Sequence, residues 1–168
     1  MNNKKVNKET LFVLTAFIVC IAFVNFLCVT LPALKVTYET SAFILEGRVE
    51  GLMAIAGGTV SSGSTTSNFN LLDAKFNPIN LVGYLLPVVG CILTLVAFSK
   101  KKQFLYYASG VIFVASGVIT LLEGTIYKMI NNITTMEVSL LIGPIMGGLC
   151  GVIAGIISFG SWYIFNKK

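Results

Sequence analysis

The sequence predicts an all-α membrane protein: a left-handed four-helix transmembrane bundle with a small extracellular β-rich segment between helices 1 and 2. Three observations lead there. Four stretches, Thr10–Leu34, Phe76–Ser99, Gln103–Leu122 and Val138–Asn166, contain no charged side chain. Each is long enough to cross a bilayer core of about 30 Å, which takes about 20 helical residues. Composition agrees, because 55% of the 168 residues are apolar and 11% are charged, where a soluble domain carries about a quarter. Mean hydropathy is +0.85, so a soluble core is excluded. The chain reads as one domain, residues 1–168, with spans at about 10–34, 76–99, 103–126 and 138–165 and an outer β-rich loop at 35–75.

The first span follows Lys4, Lys5 and Lys8. Its apolar run exceeds a signal peptide's core, and Leu31–Leu34 offers no small-x-small cleavage site, so it reads as an uncleaved anchor. Asn25 sits near its middle, where interhelical hydrogen bonding is a better reading than a transport ligand. Lysines near spans are retained on the cytoplasmic side. Lys4, Lys5, Lys8, Lys100, Lys101, Lys102, Lys167 and Lys168 therefore predict that both termini are cytoplasmic, in a multi-pass protein of the cell membrane. Those clusters face an anionic leaflet, so the net charge of +5 needs no nucleic acid as a partner.

The outer loop opens with Lys35-Val-Thr-Tyr-Glu-Thr40, in which Val36 and Tyr38 alternate with Thr37 and Glu39 as in a half-exposed strand. On a strand, Glu46, Arg48 and Glu50 would share one face as a charge ladder, with Leu52 and Met53 following as further interaction residues. Leu45, Val49, Leu52, Met53 and Ala56 also fit a helix, but Gly47, Gly51, Gly57 and Gly58 weaken it, so strands are favoured. Ser61–Asn70 is rich in Ser, Thr, Gly and Asn and reads as a mobile tip. Asn77-Pro78 then ends the excursion.

Within the remaining spans the dominant signal is small residues. Gly83, Gly90 and Ala97 recur at seven-residue spacing in the second span, as do Gly110, Gly117 and Gly124 in the third, reinforced by Ser109 and Ser116. Heptad spacing keeps one seam toward a partner in left-handed packing near +20°. In the last span Gly143, Gly147, Gly151 and Gly155 recur every fourth residue and leave a bare groove. Packing within one bundle is favoured over homo-oligomerisation through that groove. Pro87 and Pro144 interrupt helices that neighbours are able to compensate.

Catalysis is not expected. Histidine is absent, which removes the commonest general base and metal ligand. Cys20, Cys28, Cys91 and Cys150 all fall within apolar spans, form no CxxC pair and read as small hydrophobes. Glu123 is expected at the outer interface by helical rise. Glu123, Lys128 and Glu137 near the outer ends of the third and fourth spans read as interfacial solvation. No catalytic, cofactor-binding or metal-binding residue and no cofactor is assigned.

The order of features resembles the claudin-like family of small tetraspan proteins. Leu31-Pro32 with Lys35-Val36, followed by Ser41-Ala42-Phe43-Ile44, is similar to that family's exit from its first helix. Glu50-Gly51-Leu52-Met53 is similar to the start of its Gly-Leu-Trp signature, with Met53 in the tryptophan position. Ala108-Ser-Gly-Val-Ile-Phe-Val-Ala-Ser-Gly-Val118 is similar to its Gly-x-x-Phe-x-x-x-Gly helix. The resemblance implies an outer sheet. The family's paired loop cysteines are missing, so that sheet would hold together without a disulfide, and the family's partner choice and ion selectivity do not carry over. The expected partners are the bilayer and either a second copy or another membrane protein, engaged through the outer loop. The alternative is an oligomeric channel or a small accessory subunit of a transporter.

Overall fold

The computed structural model describes residues 8–64 and 67–166. The flanking Lys4, Lys5, Lys167 and Lys168 lie outside the described residues. The chain is mostly helical. Helix α1 (Lys8–Leu27) ends in a 3-10 turn at Cys28–Thr30 and leads into strand β1 (Pro32–Glu39). Then come β2 (Ile44–Glu50), helix α2 (Gly51–Ala56), and strands β3 (Gly58–Ser64) and β4 (Ser67–Ala74). Helices α3 (Pro78–Lys100), α4 (Gln103–Leu121) and α5 (Glu123–Asn131), strand β5 (Glu137–Leu140) and helix α6 (Ile142–Asn166) complete the fold.

Four helices are long and apolar enough to cross a membrane: Glu9–Thr30, Pro78–Lys100, Gln103–Leu121 and Ile142–Phe165. They pack in a ring in which α1 touches α3 and α6, and α4 touches the same two from the other side. The bundle is apolar on its flanks and buries polar side chains among the apolar ones inside. Phe12, Phe17, Val89, Ile92, Val111 and Ile156 are exposed on its flanks, while Thr15, Asn25, Thr94, Ser109, Ser116, Thr120 and Ser158 are buried. That arrangement is compatible with a hydrocarbon surround, where an unpaired polar group would have no partner.

Several boundaries differ from expectation, each for a local reason. Alpha-helical geometry in the first span ends before Pro32, whose ring drives Leu31 into an extended conformation (φ −89°, ψ 159°). Helix α3 starts sharply because the Asn77 side chain accepts a hydrogen bond from the Asn80 backbone N–H and Pro78 occupies the first turn. The third span stops at Leu121 rather than continuing to residue 126, because Leu122 (φ −89°, ψ 3°) leaves helical geometry before α5 begins. Gly124 accordingly belongs to α5 and faces Leu140 and Leu34, not a neighbouring span. The fourth span begins at Ile142, and residues 137–140 form β5.

Two antiparallel pieces make up the β lobe: a sheet in the order β2-β1-β5 and a β3–β4 hairpin. Beta5 comes from the second connection and pairs with the centre of β1, Val36 opposite Val138 and Lys35 opposite Ser139. The 42–60 stretch resolves into both readings, a strand to Glu50 and then one short helix. Ser61–Asn70 is not a free tip, since Ser61 pairs with Asn70 and Ser62 with Phe69. Residues 65–66 lie outside the described residues. Gly57 (φ 82°) and Gly58 (φ 139°) make the turn from α2 into β3 in backbone conformations that side chains resist. The lobe has its own core of Ala33, Leu34, Val36, Val49, Ala54, Val60 and Tyr127.

Backbone approach in the bundle is set by the predicted glycines. A Cβ added at Gly83 would meet Ile119, and one at Gly90 would meet the Phe113 ring, both across the α3–α4 seam. One at Gly110 would meet Phe159 at 2.9 Å, and one at Gly117 would lie 2.7 Å from the Gly148 carbonyl oxygen, both across the α4–α6 seam. On α6, Gly143 faces the carbonyls of Cys28 and Pro32, Gly147 faces Asn25, Gly151 faces Gly117 and Asn25, and Gly155 faces Val114 and Gly110. The α6 groove is therefore filled within the chain by α1 and α4.

Pro144 is harmless in the first turn of α6, where its missing N–H would have no acceptor. Pro87 lies inside α3 and frees the Gly83 carbonyl, which accepts a 2.7 Å hydrogen bond from Ser116 Oγ of α4. Replacing Ser116 with alanine is expected to leave that carbonyl unpaired and to destabilise the bundle by about 1–3 kcal/mol. Denaturant titration in detergent checks it, with Ser99→Ala as control, since Ser99 is exposed and bonds only within its own helix.

Candidate functional site

Two arrangements stand out: a buried carboxylate where the bundle meets the β lobe, and the polar outer face of the three-stranded sheet.

The carboxylate is Glu123, first residue of α5, just beyond the end of the third span. It is 0% exposed. It continues the buried face of Ser116 and Thr120 and lies against the first turns of α3. Tyr84 Oη donates to Glu123 Oε2 at 2.8 Å and Asn80 Nδ2 donates to Oε1 at 3.1 Å. Asn80 and Tyr84 are four residues apart and so share one face of α3. Asn77, which caps that helix, is also buried, and its backbone N–H bonds to the Ile55 carbonyl of α2 at 2.7 Å. A second tie holds α5 nearby: Asn131 Oδ1 accepts the Lys75 N–H at 2.7 Å and Asn131 Nδ2 bonds the Tyr127 carbonyl.

No cationic side chain among the described residues pairs with Glu123. The ion pair that the described residues do form is Lys35–Glu46. Burial pushes the Glu123 carboxyl up from 4.5 to about 7, with the Tyr84 hydrogen bond acting in the opposite direction. Ionised Glu123 thus costs the folded state about 3 kcal/mol relative to water. Because the folded value lies above the unfolded one, this group's favourable contribution is complete below about pH 4.5 and is lost as pH rises to about 7. Asn80 Oδ1, Asn77 Nδ2 and Tyr127 Oη are buried without hydrogen-bond partners among the described residues. Interfacial solvation does not describe Glu123. The sequence reading missed Asn80 and Tyr84 altogether. The available signal was two polar residues at i, i+4 in the opening turns of an apolar helix.

Deeper in the bundle a polar ladder continues. Asn25 Nδ2 points to Ser116 Oγ at 3.5 Å, and Thr120 bonds carbonyls of its own helix. Ile18, Ala22, Phe113 and Ala154 then form a dry layer. Beyond it Thr15 pairs with Tyr106 at 2.8 Å and Ser109 with Ser158 at 2.6 Å. These are pairwise bonds between helices, and the apolar layer interrupts any continuous polar path. A groove of about 610 Å³ between α1 and α3, lined by residues including Phe23, Phe26, Val88 and Cys91, is apolar.

The sheet surface carries the predicted ladder. Glu46, Arg48 and Glu50 are exposed on one face of β2, alternating with buried Gly47 and Val49. Lys35 on β1 adds to that face and its Nζ lies 2.6 Å from Glu46 Oε1. Leu52 and Met53 separate because α2 is helical: Leu52 is 60% exposed, whereas Met53 packs on the lobe core. At the β1–β2 turn Phe43 and Ile44 are 51% and 58% exposed, with the Tyr38 ring 6.4 Å from that of Phe43. Among the described residues no group of three or more His, Cys, Asp or Glu gathers to hold a metal, and the four cysteines are free.

Compared with known proteins, the chain matches no family model, and no curated protein is similar to it in sequence.

Proposed function

We propose that the chain is a non-enzymatic integral membrane protein, a claudin-like tetraspan, that mediates protein–protein association or self-assembly through its outer lobe. The observation that carries this reading is the apolar β1–β2 turn, Phe43 and Ile44 beside Tyr38, projecting from a lobe with its own core. Adjacent water-exposed aromatic and aliphatic side chains next to a charged face are the makings of an interface. In this reading the lobe is extracellular, both termini are cytoplasmic and the helices pack left-handed, as the lysine clusters and heptad seams support. The claudin likeness draws support from a strand-rich first connection between four apolar helices.

A pore assembled on the α6 glycines is the weaker reading, because Gly147, Gly151 and Gly155 already contact α1 and α4, and Gly143 contacts the chain just after α1. Replacing Phe43 and Ile44 together with serine tests the proposal. Native mass of the gently extracted particle is expected to fall from an assembly to the 18.1 kDa chain. An assembly of unchanged mass and composition sinks the reading.

A further inference from the structure

We infer that Glu123 is a proton-binding site whose loading secures α5, and with it the β lobe, to the first turns of α3.

The geometry accommodates both charge states with no change beyond a half-turn of the Asn80 side-chain amide. As an anion, Glu123 accepts from Asn80 Nδ2 and Tyr84 Oη. When the carboxyl is protonated, a half-turn of the Asn80 amide brings the now unpartnered Asn80 Oδ1 to face Oε1. Oε1–H then donates to Asn80 Oδ1 while Tyr84 still donates to Oε2. The proton comes from the aqueous side and returns to it, and no covalent bond changes. The neutral form keeps both hydrogen bonds and carries no buried charge. The anion keeps both bonds but is buried without a counter-ion, the more costly state.

The neighbours leave the proton as the neutralising species. Alpha3 presents Tyr84 and Asn80, and α1's continuation presents the Cys28 thiol close to Tyr84. Alpha5 itself contributes Tyr127 and half-buried Lys128, the chain before α3 contributes exposed Lys75, and α2 carries no titratable side chain. Neither lysine reaches Glu123. Ionisation is transmitted to the lobe because Tyr127, one turn beyond Glu123, packs in the lobe core with Leu34, Val36 and Val49. Weakening the α3–α5 seam therefore loosens the support under the sheet.

The full-length protein in liposomes, titrated from about pH 5 to about pH 9, tests this. Infrared difference spectra follow the protonated carboxyl band, and limited proteolysis follows the lobe. The wild type is expected to lose one buried carboxyl band with a midpoint near 7, and cleavage in the lobe is expected to accelerate several-fold over the same range. Glu123→Gln, whose amide keeps both bonding positions filled, is expected to show no band loss and slow cleavage throughout. Tyr84→Phe removes a donor to the anion, and is expected to move the midpoint upward by about one unit, a tenfold change in proton affinity. Should Glu123→Gln fail to fold, the Tyr84→Phe midpoint decides. Identical pH profiles for wild type and Glu123→Gln, an unmoved midpoint in Tyr84→Phe, or a midpoint that follows the sodium or potassium concentration would each overturn the inference.

Discussion

Replacing Gly151 with leucine is expected to abolish the folded bundle. Gly151 sits where α6 meets α4 and α1 at once: a Cβ there would lie 2.8 Å from Gly117 Cα and 3.0 Å from Asn25 Nδ2. The neighbour at Gly117 is backbone, which has no rotamer to escape into. Accommodating a side chain requires the two helices to part, and with them the approach of Gly148 to Gly117. Overpacking a soluble core costs about 1–3 kcal/mol, and separating two helices along a glycine seam exceeds that, because close backbone approach is the main attraction available between helices in lipid. Gly160→Leu is the control, since nothing lies within 4 Å of a Cβ there. Size-exclusion profiles in detergent should show a folded peak for Gly160→Leu and aggregate for Gly151→Leu. A monodisperse Gly151→Leu protein would contradict the seam.

The second large effect is expected in the lobe. Val49 is 0% exposed and faces the lobe core, while its neighbour Arg48 faces outward on the same strand. Val49→Asp places an uncompensated carboxylate among Leu34, Val36, Val60 and Tyr127, a loss of several kcal/mol. Arg48→Ala removes an exposed charge with no ion pair among the described residues and is expected to change stability by less than about 0.5 kcal/mol. Limited proteolysis separates the outcomes: Val49→Asp should be cut within residues 32–74 and leave the helices intact, whereas Arg48→Ala should be as resistant as the wild type. Equal resistance in both would mean that the lobe core contributes little to the sheet.

The same strand shows what was legible in the sequence. Period-two alternation put Glu46, Arg48 and Glu50 on one face, because a pleated strand leaves only two directions for side chains. The other edge strand of that sheet, β5, was not legible in the same way. Val138, Ser139 and Leu140 continue an apolar run into the fourth span, and a four-residue alternation at the end of such a run reads as more helix. Only the proximity of β1, which supplies the ladder, makes those residues a strand. The Ser61–Asn70 hairpin was hidden for a related reason: its strands are held by backbone bonds that polar, small residues form as readily as apolar ones.

The sequence by itself determined that four helices are long and apolar enough to cross a membrane. Charge-free runs of about 20 residues and the seven- and four-residue spacing of glycines set the number of helices and the sides on which they approach closely, because length and periodicity are properties of a single helix. The tertiary structure alone decided what those sides meet. It filled the α6 groove with α1 and α4, matched Ser116 to the carbonyl that Pro87 left open, and turned Glu123 from the water toward Asn80 and Tyr84. Burial and hydrogen bonding are relations between segments far apart in the chain, so one residue's neighbours in sequence do not specify them. A carboxylate at a helix end looks the same in sequence whether it faces solvent or, as here, the seam between two helices.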